Sequence, residues 1–191
     1  STQGRPASED AMLELLRNHG TNVGNWSRGA LEKLVRSGNA MLLPISEYRQ
    51  WLENQPVKLR TAMIKAWGEP EKSKVMVWKD PKGIPYFVFP AQRFGNLVFA
   101  PQPTRGWEGD PDKMFHDVVL PPHHQYLAFY LWLQKGFKAH AVVHVGTHGT
   151  HEWLSGKEIG YTPADPGEAL MGDVPQFYPY VVDDIGEGLQ A

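Results

Sequence analysis

The sequence contains no cysteine, which excludes disulfides, thiolate metal ligands and a cysteine nucleophile and is typical of a reducing compartment. It also lacks a long hydrophobic run, because the longest, at residues 126–133, is far shorter than the roughly 20 residues that span a membrane. An excess of one charge is absent as well: 19 basic and 21 acidic residues give a formal net charge of -2, which offers no general attraction for nucleic acid. We therefore expect a cytoplasmic protein with no membrane span and no nucleic-acid partner.

The N-terminal part of the sequence carries the signals of helices. Residues 1–7 are polar and include Gly and Pro, which is typical of a tail, and residues 8–70 are interpreted as a helical lobe. Four helices are predicted there from capping residues followed by apolar residues at helical spacing, and they begin at Ser8, Ser27, Ser46 and Pro56.

Beyond residue 70 the apolar pattern changes to that of strands. Runs of β-branched and aromatic residues bounded by Gly or Pro predict strands at residues 75–78, 86–89 and 96–99. The turn-forming residues at 80–83 predict that the first two strands pair as a hairpin.

A helix that is apolar on nearly every side is predicted at residues 121–136, and a buried strand follows at 139–145. Strand, helix and strand in this order favour a right-handed crossover. Residues 71–191 are therefore predicted to form an α/β part with a mainly parallel sheet and flanking helices. In such a sheet the ligand site lies beyond the carboxyl ends of the strands.

Four potential metal ligands or proton acceptors fall within nine residues of the chain. They are His144, His148, His151 and Glu152. The preceding valines favour a strand and the intervening glycines favour a turn, so these side chains are expected to converge from a strand end and a loop. Neutral imidazole binds ions such as zinc, cobalt and nickel, and a carboxylate beside it can ligate the ion or accept a proton. All four are predicted metal ligands, with Glu152 and His148 as catalytic residues; for His144 alone, a hydrogen-bonded histidine at a strand end is the alternative.

A second candidate stretch is the loop at residues 101–120, whose length is typical of functional loops. It carries Arg105, whose guanidinium can grip a carboxylate through two hydrogen bonds, although an ordinary surface arginine fits the sequence equally well. His116 lies near the end of this loop and His123 at the start of the next helix. For both, an exposed or helix-capping histidine is the alternative to a binding role.

Several of these stretches resemble the large subunit of the metal chelatases that insert cobalt into corrin precursors or magnesium into protoporphyrin. The resemblance covers residues 75–191, extends in pattern to residues 21–70, and is carried by residues 101–107, 121–130, 143–157 and 173–188. His151 departs from it, because many members carry Leu there. Members of that family are much longer than this sequence, so the resemblance implies a part of a larger subunit.

The resemblance implies a tetrapyrrole and a divalent metal ion as substrates, together with partner ATPase subunits. The sequence has no Gly-rich phosphate loop ending in Gly-Lys-Ser or Gly-Lys-Thr, so ATP is expected to be used by the partners. In this interpretation the histidines present the ion and Glu152 accepts protons from the ring nitrogens. The abundant imidazole favours cobalt, with magnesium as the alternative. The side chains expected to bind the macrocycle are Arg105, Trp107, Trp153 and His123.

Two other functions stay open on the sequence. The first is a non-catalytic module that binds metal or tetrapyrrole, which a tetrapyrrole titration with and without ATPase partners would distinguish from a chelatase. The second is a histidine-based metallohydrolase, which turnover of simple esters with zinc and no partner would reveal.

Overall fold

The fold mixes helices with short strands. The computed structural model describes residues 6–19, 28–104, 119–145, 154–156 and 160–179. Its N-terminal helices are α1 (Glu9–His19), α2 (Arg28–Arg36), α3 (Ile45–Glu53) and α4 (Val57–Trp67). All four predicted helices are confirmed, and each begins within one residue of the position expected from its start signal. The Ser8 hydroxyl caps α1 by accepting a hydrogen bond from the backbone N–H of Ala11, at 3.1 Å.

A strand interrupts the predicted helical lobe, which is a correction to the sequence interpretation. This strand, β1 (Ala40–Pro44), lies between α2 and α3 and pairs antiparallel with β3 (Pro85–Pro90), from Ala40 opposite Pro90 to Pro44 opposite Tyr86. An apolar run this short does not distinguish a strand from a helical turn, and its pairing partner lies far along the chain.

The predicted hairpin is confirmed. Strand β2 (Val77–Lys79) pairs antiparallel with β3, and the Asp80 side chain closes the turn by accepting hydrogen bonds from the backbone N–H groups of Lys82 and Ile84. A second hairpin consists of β4 (Gln92–Phe94) and β5 (Leu97–Phe99), with Gly95 at a φ of 59° in the connecting turn.

The prediction of a mainly parallel sheet is not confirmed. Within the described segments, the pairs of β1 with β3, β2 with β3 and β4 with β5 are antiparallel. The parallel pair joins β6 (Val142–Val143), a short part of the predicted strand, to β7 (Gln176–Phe177). Two of the antiparallel pairs follow from tight turns, which join antiparallel strands without the helical crossover that a parallel pair needs.

The core is built around helix α5 (His124–Leu131), which continues into a π-helical segment at Trp132–Gly136. All eight side chains of α5 are buried, as expected for a helix that is apolar on nearly every side. Its apolar residues, 126–131, share one hydrophobic cluster with α3, β3 and α6 (Pro166–Met171), so residues before and after position 70 pack into the same core. Among the described helices, none is both long and apolar enough to cross a membrane.

Candidate functional site

His144 follows β6 directly, where the sequence predicts the metal site to begin. Its backbone N–H donates to the carbonyl of Phe177 at 2.8 Å, which extends the parallel pairing of β6 with β7 by one residue. Its ring is half-buried and stacks on Tyr130 of α5, with ring centres 6.4 Å apart and planes inclined by 29°. The imidazole therefore has a fixed place between a strand end and the central helix.

The side chain of Gln176 determines which nitrogen of His144 carries the proton. The Gln176 amide nitrogen donates to the carbonyl of Val174 at 3.0 Å, so its Oε1 is the atom 2.9 Å from Nε2 of His144. A carbonyl oxygen can only accept, so Nε2 of His144 is the N–H donor. In the neutral ring, Nδ1 is then the nitrogen with the lone pair, and this is the atom that can bind a metal ion or accept a proton.

A cleft of about 230 Å³ opens beside His144. The cleft is lined by residues of α5, of the π-helical segment and of the β5 and β6 regions. Its aromatic lining residues are Phe129, Tyr130 and Phe137. The volume is below the roughly 300–1,000 Å³ of pockets that enclose a small molecule, so the cleft cannot enclose a macrocycle.

His123, a predicted substrate-binding residue, lies at the N-terminal cap of α5 with 2% of its surface exposed. Its Nδ1 accepts a hydrogen bond from the backbone N–H of Tyr126, and its Nε2 donates to the carbonyl of Thr104 at 2.6 Å. The Trp67 ring packs edge-on against it. Burial lowers the pKa of His123 from 6.5 to about 3, against the opposing effect of the Thr104 carbonyl. These contacts hold a neutral ring that caps α5 and fixes the start of the 101–120 loop.

Sequence reasoning gave no role to His124, which the structure places at the junction of three helices. Its Nδ1 accepts from the hydroxyl of Tyr48 on α3 at 2.9 Å, and its Nε2 donates to the carbonyl of Gly68, which ends α4, at 2.8 Å. Burial lowers the pKa of His124 and raises that of Tyr48, so both groups stay neutral near pH 7. The only signal in the sequence is a polar residue in an otherwise apolar helix, which indicates a buried hydrogen bond.

The remaining predicted site residues lie outside the described residues. They are Arg105, Trp107, His148, His151, Glu152 and Trp153. The predicted grouping of the histidines therefore remains a prediction, and in the described ranges no three His, Asp or Glu side chains form a group that could hold a metal ion.

Helix α5 contacts the described residues that adjoin the two predicted stretches. Thr104, next to Arg105, is bound at the N-terminus of α5, and His144 stacks on Tyr130 seven residues further along. At 1.5 Å per residue these points are about 10 Å apart along the helix. Thr104, just before the arginine stretch, and His144, at the start of the histidine stretch, thus contact the same helix about two turns apart.

Comparison with known proteins identifies relatives over the whole chain. The family model of CobN/Magnesium Chelatase matches residues 1–191. The aerobic cobaltochelatase subunit CobN of Pseudomonas aeruginosa is 37% identical over 188 residues, covering 98% of this chain and 14% of that protein. A magnesium-chelatase subunit of Chlorobaculum parvum is 34% identical over 187 residues, covering 92% of this chain and 14% of that protein.

A solved structure agrees with these relatives. The catalytic subunit of cobaltochelatase from Mycobacterium tuberculosis aligns with a TM-score of 0.67 and 38% identity, over 97% of this chain and 17% of that one. The chain therefore spans about one seventh of the length of the relatives that it matches.

Proposed function

This chain belongs to the CobN/magnesium chelatase family, and from that premise we propose that it supplies the metal-presenting part of a chelatase that inserts a divalent ion into a tetrapyrrole. The observation that carries the proposal is the orientation of His144. A metal-binding histidine commonly donates its other ring N–H to a protein acceptor, which fixes the ring and its tautomer. Gln176 provides that acceptor, and we assign metal ligation to the other ring nitrogen, Nδ1.

Metal insertion requires an ion that exchanges its water ligands and a base that removes protons from the ring nitrogens. We assign the presentation of the ion to His144 together with His148 and His151, which follow it within seven residues. Glu152 ligates the ion or accepts a pyrrole proton, and His148 takes part in the same proton transfer. A short turn after a fixed His144 is enough to bring these side chains toward one ion.

The macrocycle is assigned to the surface outside the cleft beside His144, since the cleft is too small to enclose it. Arg105 binds a side-chain carboxylate of the macrocycle, and Trp107 and Trp153 lie against its face. Thr104, which precedes the arginine stretch, and His144 contact α5 at residues about 10 Å apart along its axis, which suits a substrate with carboxylates at its rim and nitrogens at its centre. His123 contributes indirectly, by fixing Thr104 beside Arg105.

Cobalt is the ion we favour over magnesium, because imidazole ligands suit cobalt whereas magnesium prefers oxygen ligands and retained water. ATP is assigned to partner ATPase subunits, since the sequence lacks a phosphate-binding loop. Such a complex would work in the cytoplasm, which agrees with a chain free of cysteine.

The first test is cobalt binding to this chain. We expect His144→Ala to weaken Co²⁺ binding by about tenfold or more, because it removes the ligand whose orientation is fixed. His140→Ala is the matched control, since His140 is an exposed histidine four residues earlier. Binding is measured by titration calorimetry and by the visible absorption of bound cobalt. If both variants bind cobalt as the unmodified chain does, His144 is not a ligand.

A further inference from the structure

Strands β5 and β6 each belong to a two-stranded sheet, and residues of both line the cleft beside His144. Strand β5 pairs with β4 on one side, and β6 pairs with β7 on one side. The residues that line the cleft include Val98 with its neighbours on β5 and Val143 with its neighbours on β6. The cleft is therefore lined by residues from one strand of each of two two-stranded sheets.

Each of these two strands also has backbone groups that do not face its paired strand. The N–H groups of Val142 and His144 donate to the carbonyls of Pro175 and Phe177, so Val143, between them, turns its N–H and C=O to the opposite edge. In the other hairpin, Phe94 pairs with Leu97 at the two-residue turn, and the next pair is Arg93 with Val98. Alternation along an antiparallel ladder then turns the N–H and C=O of Val98 outward. Within the described chain, the ladders on both sides of the cleft thus end in hydrogen-bonding groups.

The side chains of the two strands are apolar on both faces. Val98, Ala100 and Val142 pack against the core on the inner face. On the outer face several large apolar side chains are exposed, namely Leu97 at 53%, Phe99 at 39%, Val143 at 56%, Val145 at 79% and Phe177 at 55%. Strands that are apolar on both faces are typical of the interior of a covered sheet, and natural proteins rarely leave such edges open.

From these observations we infer that the cleft receives an extended strand from a part of the large subunit outside the stretch that this chain matches. The relatives contain ample sequence for it, because this chain covers only 14% of the Pseudomonas aeruginosa protein. The added strand hydrogen-bonds to Val98 on one side and to Val143 on the other, and joins the two small sheets into one. Its apolar side chains lie on the aromatic lining residues Phe129 and Phe137.

The added strand has a consequence for the neighbouring histidine. Because β6 would then be held at both edges, the strand end that carries His144 would be fixed from the cleft side as well as from β7. The inference itself rests on strand edges and apolar faces and does not depend on metal binding, so the cobalt experiment and the strand experiment fail independently.

The test uses peptides of about 12 residues, longer than a typical strand, tiled over the regions of the Pseudomonas aeruginosa relative that this chain does not match. They are added to this chain at about 1 mM, comparable to the effective concentration that a short tether provides. Amide hydrogen exchange is followed by NMR. At least one peptide is expected to slow exchange of both Val98 and Val143 by about tenfold or more.

Two controls separate strand addition from other docking. Val143→Pro removes the edge N–H and is expected to abolish binding, whereas Val143→Thr keeps it and binds the peptide. If the proline variant fails to fold, the peptide that binds is synthesised again with N-methylated backbone amides. This peptide is expected not to bind the unmodified chain. The inference is overturned if no peptide protects both amides, or if the N-methylated peptide binds equally well. Protection of both amides without peptide, through self-association detected by sedimentation, would also overturn it.

Discussion

At the scale of the residue, three histidines of one sequence acquire different chemistry from the partners of their ring nitrogens. His123 accepts from a helix N–H and donates to a loop carbonyl, and His124 links a tyrosine hydroxyl to the carbonyl that ends α4. Both are buried, and burial lowers the pKa of each. His144 instead lies half-exposed at a strand end with its Nε2–H held by Gln176. Of the three, His144 is the one whose ring is suited to a reactive ion.

Gln176 is a positioning residue whose role can be separated from structural support. Gln176→Leu removes the acceptor for Nε2–H, and we expect cobalt affinity to fall by about 10- to 100-fold, as for other residues that orient metal ligands. Gln176→Glu keeps an acceptor for Nε2–H but loses the donor to the Val174 carbonyl, and should retain more affinity than Gln176→Leu. Titration calorimetry measures affinity, and thermal unfolding checks the fold. Equal losses of affinity in the two variants would contradict the orienting role.

At the scale of the element, helix α5 connects the core to the candidate site. Its eight buried residues pack against α3, β3 and α6, which makes it the most enclosed helix among the described segments. Its capping residue, His123, binds the loop that leads to Arg105, and Tyr130 near its other end supports His144. One helix thus contacts Thr104, which precedes one candidate stretch, and His144, which begins the other.

The cap of α5 predicts a pH dependence of stability. The folded-state pKa of His123 is lowered from 6.5 to about 3, so between these values the unfolded chain binds a proton that the folded chain does not. Stability is therefore lost as the pH falls below about 6.5, with a slope that approaches about 1.4 kcal/mol per pH unit for this group. His123→Asn keeps an acceptor for the Tyr126 N–H but cannot take up this proton.

Urea unfolding at several values between pH 7 and pH 4 measures this effect. His124, whose pKa burial also lowers, contributes in the same direction and remains in the variant. Glu71 adds a further loss at lower pH, because its hydrogen bond to Arg49 lowers the pKa of that carboxyl. The effect of His123 is therefore the difference between two slopes of unfolding free energy against pH, one for the unmodified chain and one for His123→Asn. Identical slopes would mean that His123 is protonated in the folded state.

At the scale of the whole molecule, the chain spans about one seventh of the length of the relatives that it matches. Its described part has a single main core from α3 to α6, with a smaller cluster near α2. The proposed ion site lies at the border of this core, next to apolar strand edges. Under the proposed function, a site at this border suits a substrate that is enclosed only when a complete large subunit and its partners are assembled.

Activity of the assembled enzyme tests the assigned proton acceptor. In the complete large subunit with its ATPase partners, Glu152→Gln is expected to slow metal insertion by about 10²- to 10⁴-fold, the usual contribution of a general base. Insertion is followed by the absorption change of the tetrapyrrole. Glu168→Gln, on the exposed side of α6, is the control and should leave the rate unchanged. Full activity of Glu152→Gln would remove this residue from the mechanism.

The sequence by itself determined what depends on neighbouring residues: the four N-terminal helices from their start signals and apolar spacing, the hairpin at Asp80, the burial of α5, and the motifs that indicate the chelatase family. Tertiary structure decided what depends on distant partners. Strand β1 exists because β3 pairs with it, His124 joins a carbonyl 56 residues away, and the tautomer of His144 is set by a glutamine 32 residues away. The clustering of His148, His151 and Glu152 around His144 remains a prediction. The physical reason for the division is that caps and turns act over a few residues, whereas strand pairing and buried hydrogen bonds join groups that only the folded chain brings together.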